Sequence, residues 1–411
     1  MTASTSFLQR RVVPVLTAMS ENTYLSAIRA GMVSVVPLTI IGGLFIIISF
    51  LPITGWDKII APWLGLLQVP VSATFGLLSV FVAFAIGYDL GRQLKQEAIV
   101  SATISAVIFL MLQLRMGQKP DEVTFAMESL GSKGLFTAVV IALISVRVQK
   151  FFSDKNLVIK LPENVPAVVY ESFVSLTPLF FLVVTFWIIR FVLGVDIDHL
   201  IQLAVQPVVR ALNTLPGILV YAFLVTLLWS VGINGDNAMD AIVAPIFLQY
   251  LADNVTAMST GHPLPYITAY GFFTAFVNVG GTGATIALAL VMCNSKDPGY
   301  RKVSRLSLPT QIFQINEPIF FGFPIVLNPV FMVPYILNAM ILTTSTYLLM
   351  SWGIIKRPLV NVPWTTPPII GHYLVTGGDW KAAVWGAISI VIAMAVYYPF
   401  AKAAERQRAA G

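Results

Sequence analysis

Long apolar blocks separated by short polar segments dominate the chain. They run over Met32 to Leu51, Val71 to Tyr88, Ala98 to Leu114, Gly134 to Phe151 and Ser172 to Leu193. Each approaches the roughly 20 residues that a helix needs to cross about 30 Å of hydrocarbon, so spanning helices are predicted there. Asp196 to Leu212 reads differently. Asp196, Asp198, His199, Gln202, Gln206 and Arg210 are interspersed with aliphatic residues near helical spacing, which predicts an amphipathic helix lying in the membrane interface and linking two halves. Beyond it, the apolar stretches Gly217 to Val231, Ala238 to Leu251, Ala269 to Cys293, Pro309 to Met350 and Ala382 to Ala401 are longer or shorter than one span and heavily interrupted. Broken helices are expected in that half.

Composition turns this pattern into a class. Of 411 residues, 57% are hydrophobic and only 11% charged, whereas a soluble domain carries about 25% charge. An all-α integral membrane protein with about ten spanning helices follows. The net charge of +6 does not point to nucleic acid, because the basic residues sit between apolar blocks instead of clustering on one soluble face. With a cytoplasmic N-terminus, Arg10, Arg11 and Arg29, the loops around Arg92 and Lys95, Arg147 to Lys160 and Lys296 to Arg305, and the tail after Ala401 all fall inside. The opposite loops hold Lys119 and Lys133, diluted by Asp121, Glu122 and Glu128. Both termini are therefore expected in the cytoplasm. The segment Met1 to Glu21 lacks a small-residue cleavage site after a short apolar core, so no cleaved signal peptide is expected. There is no GxxxxGK[ST] string for nucleotide phosphates. Cys293 is the single cysteine, and no Cys/His cluster offers a metal-ligand set, so neither a metal nor another cofactor is expected.

Polar residues inside apolar surroundings cost several kcal/mol unless they are buried in protein or line a wet cavity. Four such clusters occur, all from Trp229 onward. In Trp229-Ser-Val-Gly-Ile-Asn-Gly-Asp-Asn-Ala-Met-Asp240, glycines bracket Asn234, and Asp236, Asn237 and Asp240 follow; an unwound segment fits the apolar flanks better than a solvated loop. In Asn278-Val-Gly-Gly-Thr-Gly-Ala-Thr285, Gly280, Gly281 and the glycine after Thr282 free the backbone to approach a ligand, with close helix packing as the rival reading. In Gln311-Ile-Phe-Gln-Ile-Asn-Glu-Pro318, Glu317 is an intramembrane carboxylate with no basic residue in its block. Pro318 disfavours helix at Glu317, so a turn and a re-entrant tip are expected there. The fourth cluster, Val362-Pro-Trp-Thr-Thr-Pro-Pro368 with His372, reads as an extended connection. His199, His262 and His372 all have polar, glycine or proline neighbours, which predicts surface placement.

Taken together, these strings resemble the membrane-embedded IIC subunit of bacterial phosphoenolpyruvate-dependent phosphotransferase systems, in the lactose, cellobiose and diacetylchitobiose family. The similarity rests on Leu161-Pro-Glu-Asn-Val-Pro-Ala-Val168 with Ser172-Phe173, the run Gly280 to Thr285, Ile315-Asn-Glu-Pro318 with Gly322 to Pro329, and Pro363 to Pro368 with Thr376-Gly-Gly378. It implies about ten spanning helices and two re-entrant hairpins enclosing a sugar, assembled as a homodimer. Residues 1–195 would form the dimer-interface half, 196–213 the interfacial linker and 214–411 the moving, substrate-binding half. It also implies that Glu317 accepts hydrogen bonds from sugar hydroxyls. From the polar clusters themselves, Asn316, Asn234, Asp236 and Asn237 are expected as its neighbours, and Asn278, Gly280, Gly281 and Thr282 as a polar lining. Trp229 can stack on a pyranose face or anchor at the interface.

One departure matters. The family's Gly-Ile-His-Gly is Gly232-Ile-Asn-Gly235 here, and Asn234 cannot act as a base where that histidine would sit by the hydroxyl to be phosphorylated. Asp236 is the nearest substitute. The phosphate donor would be a separate IIB protein. The leading expectation is thus a permease for a β-linked disaccharide in the bacterial inner membrane. The rivals are a sugar sensor on the same fold, signalling to a cytoplasmic partner or fused domain, and a proton-coupled or passive carrier.

Overall fold

The structure is a computed structural model describing residues 22–51, 54–117, 122–159, 167–323 and 325–410. Arg10, Arg11, Lys119, Asp121, Lys160 and the string Leu161 to Pro166 lie outside the described residues. Helices dominate, in the order α1 (Thr23–Ser34), α2 (Val36–Ser49), α3 (Leu64–Thr74), α4 (Leu78–Gln93), α5 (Ala98–Leu112), α6 (Leu135–Asp154) and α7 (Ala167–Trp187). A small antiparallel hairpin of β1 (Leu114–Met116) and β2 (Val123–Phe125) follows α5. Then come α8 (Ile197–Leu212), α9 (Leu215–Ser230), α10 (Gly235–Ser259), α11 (Phe272–Phe276), α12 (Thr285–Met292), α13 (Pro298–Ile312), α14 (Glu317–Gly322), α15 (Pro329–Ser351), α16 (Ile370–Val375) and α17 (Trp380–Ala410).

Seven helical runs among the described residues are long and apolar enough to cross a membrane. They are Thr23–Ser49, Trp56–Gln93, Ser132–Asp154, Phe173–Val192, Gly235–Ser259, Pro329–Ser351 and Trp380–Arg408. α8 and α9 form a further pair, bent by 84°, and Ala98–Leu112 and Thr282–Met292 are shorter apolar helices. The amphipathic segment is helical as expected: the Asp196 side chain caps α8 by accepting the His199 N–H at 3.0 Å.

In the amino half, α4 packs against α1, α5 and α6. Small residues make this close approach feasible: a Cβ on Gly31 would lie 2.3 Å from Ile86 Cγ1, and one on Gly87 would lie 2.5 Å from Ser105 Oγ. In the carboxyl half, α15 and α17 pack on each other and on α9 and α12 respectively. The halves meet where α10 packs on α1.

Two expectations are corrected. His199 and His262 are exposed, but His372 is fully buried. Its ring stands edge-on to Phe276 at 4.5 Å, and Gly386 of α17 makes the space, since a Cβ there would lie 2.9 Å from His372 Cγ. The second concerns the turn expected at Glu317. It falls earlier, at Gln314 with φ +66°, and Glu317 opens α14 with Pro318 behind it. A proline in the first helical turn removes an N–H that would have no partner anyway.

Candidate functional site

The site grows out of three breaks in the carboxyl half. α9 ends at Ser230, and Gly232 takes φ +89° to leave the helix. Asn234 then caps α10, its side-chain oxygen accepting the Asn237 N–H at 2.9 Å. Asp236 thereby sits in the first turn of α10, where the helix dipole favours an anion. The second break is the loop from Asn278 to α12. Gly281 has φ +103°, and a Cβ on it would lie 2.4 Å from Asn316 Cβ. A Cβ on Gly283, with φ +73°, would lie 2.2 Å from Tyr335 Cδ2. Only glycine satisfies both conditions at these positions. The third break is the tip between α13 and α14.

Hydrogen bonds join these breaks. Gln314 Oε1 accepts the Gly281 N–H at 3.0 Å, and Gln314 Nε2 donates to the Thr366 carbonyl at 3.3 Å. Asn316 Nδ2 donates to the Thr282 carbonyl at 3.1 Å, and Tyr397 Oη donates to the Gly283 carbonyl at 2.7 Å. At the centre, the Asp236 carboxylate accepts from Trp229 Nε1 at 2.8 Å, Thr282 Oγ1 at 2.8 Å and Asn278 Nδ2 at 3.2 Å. One side chain on α10 thus holds α9 and the glycine-rich loop together.

These elements enclose a cavity of about 630 Å³, a size suited to a small organic ligand. Asn234, Asp236 and Asn237 line it from α10, with Trp229 from α9. Asn278, Gly281 and Thr282 line it from the loop, and Asn316 and Glu317 from the tip. Gly280 does not reach it; a Cβ there would instead lie 2.2 Å from Ile286 Cβ. Trp229 is buried at the cavity, its ring edge-on to Phe320 at 5.2 Å, so it is not anchored at the membrane surface. Glu317 is exposed at the tip, with no ion-pair partner among the described residues.

Several lining residues escaped the sequence reading. Asp240 was noticed in the first polar cluster but not expected at the sugar; it lies four positions after Asp236 on one helix face and lines the cavity. Gln314 and Trp364 belong to polar clusters already noticed. Asn361 carries no local signal; its Nδ2 donates to Thr39 Oγ1 of α2 at 2.9 Å. The amino half adds only Val33, Val36, Pro37 and Ile40 to the lining. Among the described residues no His/Cys/Asp/Glu group could hold a metal ion. Carboxylates, carboxamides and aromatic rings converging on one cavity suit a polyhydroxylated ligand: the polar groups meet hydroxyls and the rings cover apolar C–H faces.

Comparison with known proteins fits this chemistry. The family model for the phosphotransferase system, EIIC, matches residues 29–339. The chain is 35% identical over 432 residues to the cellobiose-specific EIIC component of a phosphotransferase system from Geobacillus stearothermophilus, covering 98% of this chain and 94% of that protein. It is 34% identical over 422 residues to the lichenan permease IIC component of Bacillus subtilis (strain 168), covering 98% and 93%. In three dimensions it is similar to the crystal structure of the transporter ChbC, the IIC component from the N,N'-diacetylchitobiose-specific phosphotransferase system. The TM-score is 0.91 at 34% identity, over 98% of both chains.

Proposed function

We infer that this chain, which belongs to the phosphotransferase system EIIC family, is a multi-pass membrane permease that binds a β-linked disaccharide in the cavity and passes it inward. The observation that carries this reading is the convergence of Glu317 with Asp236, Asn237 and Asn316 on one cavity from separate breaks in the chain. Glu317 is the hydroxyl acceptor: among the described residues its carboxylate pairs with no cation, and an ionised carboxylate accepts two hydroxyl donors at once. Trp229, oriented by its bond to Asp236, covers part of the sugar.

The distribution of polarity supports movement of residues 214–411 as a body. All the polar lining groups belong to that half, while the amino half offers only aliphatic side chains and a proline. A sugar bound this way makes no directional bond to the stationary half, so it can be carried without breaking its hydrogen bonds. Residues 1–195 form the dimer contact, 196–213 the interfacial linker, and both termini face the cytoplasm of a bacterial cell, in keeping with the placement of lysine and arginine.

Phosphoryl transfer is the step this chain is least equipped for. Asn234 has no usable basicity, and its oxygen is committed to the Asn237 N–H. Asp236 lies at the cavity, but three donors already occupy its two oxygens. That observation favours a second reading, a sensor that retains the pocket and signals to a cytoplasmic partner. One assay separates them: labelled phosphate appearing on sugar in the presence of a cognate phosphorylated IIB protein. Asn234→His is expected to raise transfer by about 10²- to 10⁴-fold if a missing general base limits it. Brisk transfer by the unaltered chain would overturn the sensor reading, whereas silence from both proteins with binding intact would favour it.

A further inference from the structure

Glu317 stands at the tip of a hairpin whose base lies outside the cavity lining. α13 runs to the tip and α14 folds back along it, so close that a Cβ on Gly322 would lie 2.5 Å from Val303 Cγ1. With six residues, α14 is too short to hold a helix by itself. Its direction, and with it that of Glu317, is set by the two rings it presents. Phe320 stands edge-on to Trp229 at 5.2 Å, beside the cavity. Phe323, just past the end of α14, is fully buried and stacks on Tyr300 of α13, with ring centroids 4.7 Å apart and planes within 8°.

A third segment grips that base. α17 ends in a charged turn, and Arg408 places its guanidinium over the Tyr300 ring, 4.3 Å from the centroid. The same guanidinium pairs with Asp297 at 3.1 Å. Asp297 in turn caps α13, accepting the Tyr300 N–H at 2.8 Å. One turn earlier on α17, Glu405 accepts the Lys296 N–H at 3.3 Å and pairs with Lys402 at 2.8 Å. Arg408 is half exposed, and an exposed ion pair by itself contributes little. A guanidinium over an aromatic ring adds to it, and here it holds the ring on which Phe323 stacks. The start of α13, the end of α17 and the end of α14 thus meet at Tyr300. None of Arg408, Tyr300 and Phe323 lines the cavity.

We propose that Arg408 is a positioning residue for sugar binding: by holding Tyr300 against Phe323, the last turn of α17 sets the direction of α14 and so the reach of the Glu317 carboxylate into the cavity. This rests on the sugar-binding reading above and adds to it a determinant of affinity that touches no sugar. Gln314 and Asn316 are tied directly to the glycine-rich loop and need no such help. Glu317 has no ion-pair partner among the described residues, so the packing of α14 decides where its carboxylate points. Loss of the clasp therefore lowers affinity through Glu317 and not through the other lining groups.

The test is calorimetric titration of the full chain in lipid nanodiscs with cellobiose and with N,N'-diacetylchitobiose, using whichever binds more tightly. Arg408→Ala is expected to weaken binding about three- to tenfold while the unfolding temperature stays nearly unchanged. Arg408→Lys should restore most of the affinity, because an ammonium can also lie over Tyr300 and pair with Asp297. In a Glu317→Gln background, Arg408→Ala should change affinity by less than about twofold, since the group it positions is already altered. Unchanged affinity in Arg408→Ala overturns the proposal, as does no recovery with lysine or an equal loss in both backgrounds. Where the Glu317→Gln background binds too weakly to read, the lysine comparison decides alone. If Arg408→Ala does not fold, Asp297→Asn takes its place: it keeps a helix cap but gives up the ion pair, and unaltered affinity there overturns the proposal. Binding of neither disaccharide by the unaltered chain overturns the sugar-permease reading itself, a result distinct from an unexpected pattern among the variants.

Discussion

Two walls of the same cavity carry carboxylates, and they are built in opposite ways. At the start of α10, Asp236 is engaged by Trp229, Asn278 and Thr282, so its role is settled before any ligand arrives. At the start of α14, Glu317 is exposed and has no ion-pair partner among the described residues. Both stand in the first turn of a helix after a break in the chain. Position in a helix therefore does not distinguish them; what the surrounding chain offers each one does. The committed carboxylate shapes the wall, and the uncommitted one is available to grip.

The seam between the walls should be the most sensitive point. Gly281→Ala places a Cβ against Asn316 in a backbone conformation that only glycine adopts easily. Strain and overpacking together are expected to cost about 3 to 5 kcal/mol, seen as a large fall in thermal unfolding temperature and loss of sugar binding. A variant as stable as the parent would show that the two walls are not in register.

Removing the committed carboxylate comes next. Asp236→Ala leaves three donors without an acceptor and should destabilise the folded protein by about 3 kcal/mol, with weaker binding as a secondary effect. Chemical unfolding in detergent measures the first, and calorimetric titration the second. If binding fell while stability held, the assignment of Asp236 to the framework would be wrong.

Glu317→Gln sharpens the contrast from the other side. It should weaken sugar binding by about 1.5 to 3 kcal/mol, the worth of a hydrogen bond to a charged group, and leave the unfolding temperature nearly unchanged. Unaltered affinity in the folded variant would remove Glu317 from the site. The smallest effect is expected at the junction of the halves. Thr39→Val deletes the acceptor for Asn361 and should cost about 1 kcal/mol in stability; a null result by thermal unfolding would mean that this bond does not tie the halves together.

Much of this arrangement was legible in the sequence, for reasons particular to each element. The break at Gly232 and Asn234 announced itself because a glycine and a helix-capping residue stand inside an apolar run. Gly281 and Gly283 were visible as a cluster, although not which neighbours demanded them. Glu317 stood out by its charge alone. His372 was misread because its neighbours are polar or small, whereas its burial depends on Gly386, fourteen residues later in another helix. Asn361 had no local mark at all; Thr39, which gives it a role, is more than 300 residues away in the chain.

The sequence by itself determined the class of solvent the chain lives in, where its helices break, and which polar residues had to be sheltered. Each of these follows from the cost of placing backbone or side-chain polar groups in hydrocarbon, a cost set by a residue and its near neighbours. Only the tertiary structure decided which sheltered groups are spent on one another and which are left for a ligand. That outcome depends on hydrogen-bond partners a few ångströms apart in space and dozens of residues apart in sequence, as Asp236 with Asn278 and Thr282 shows.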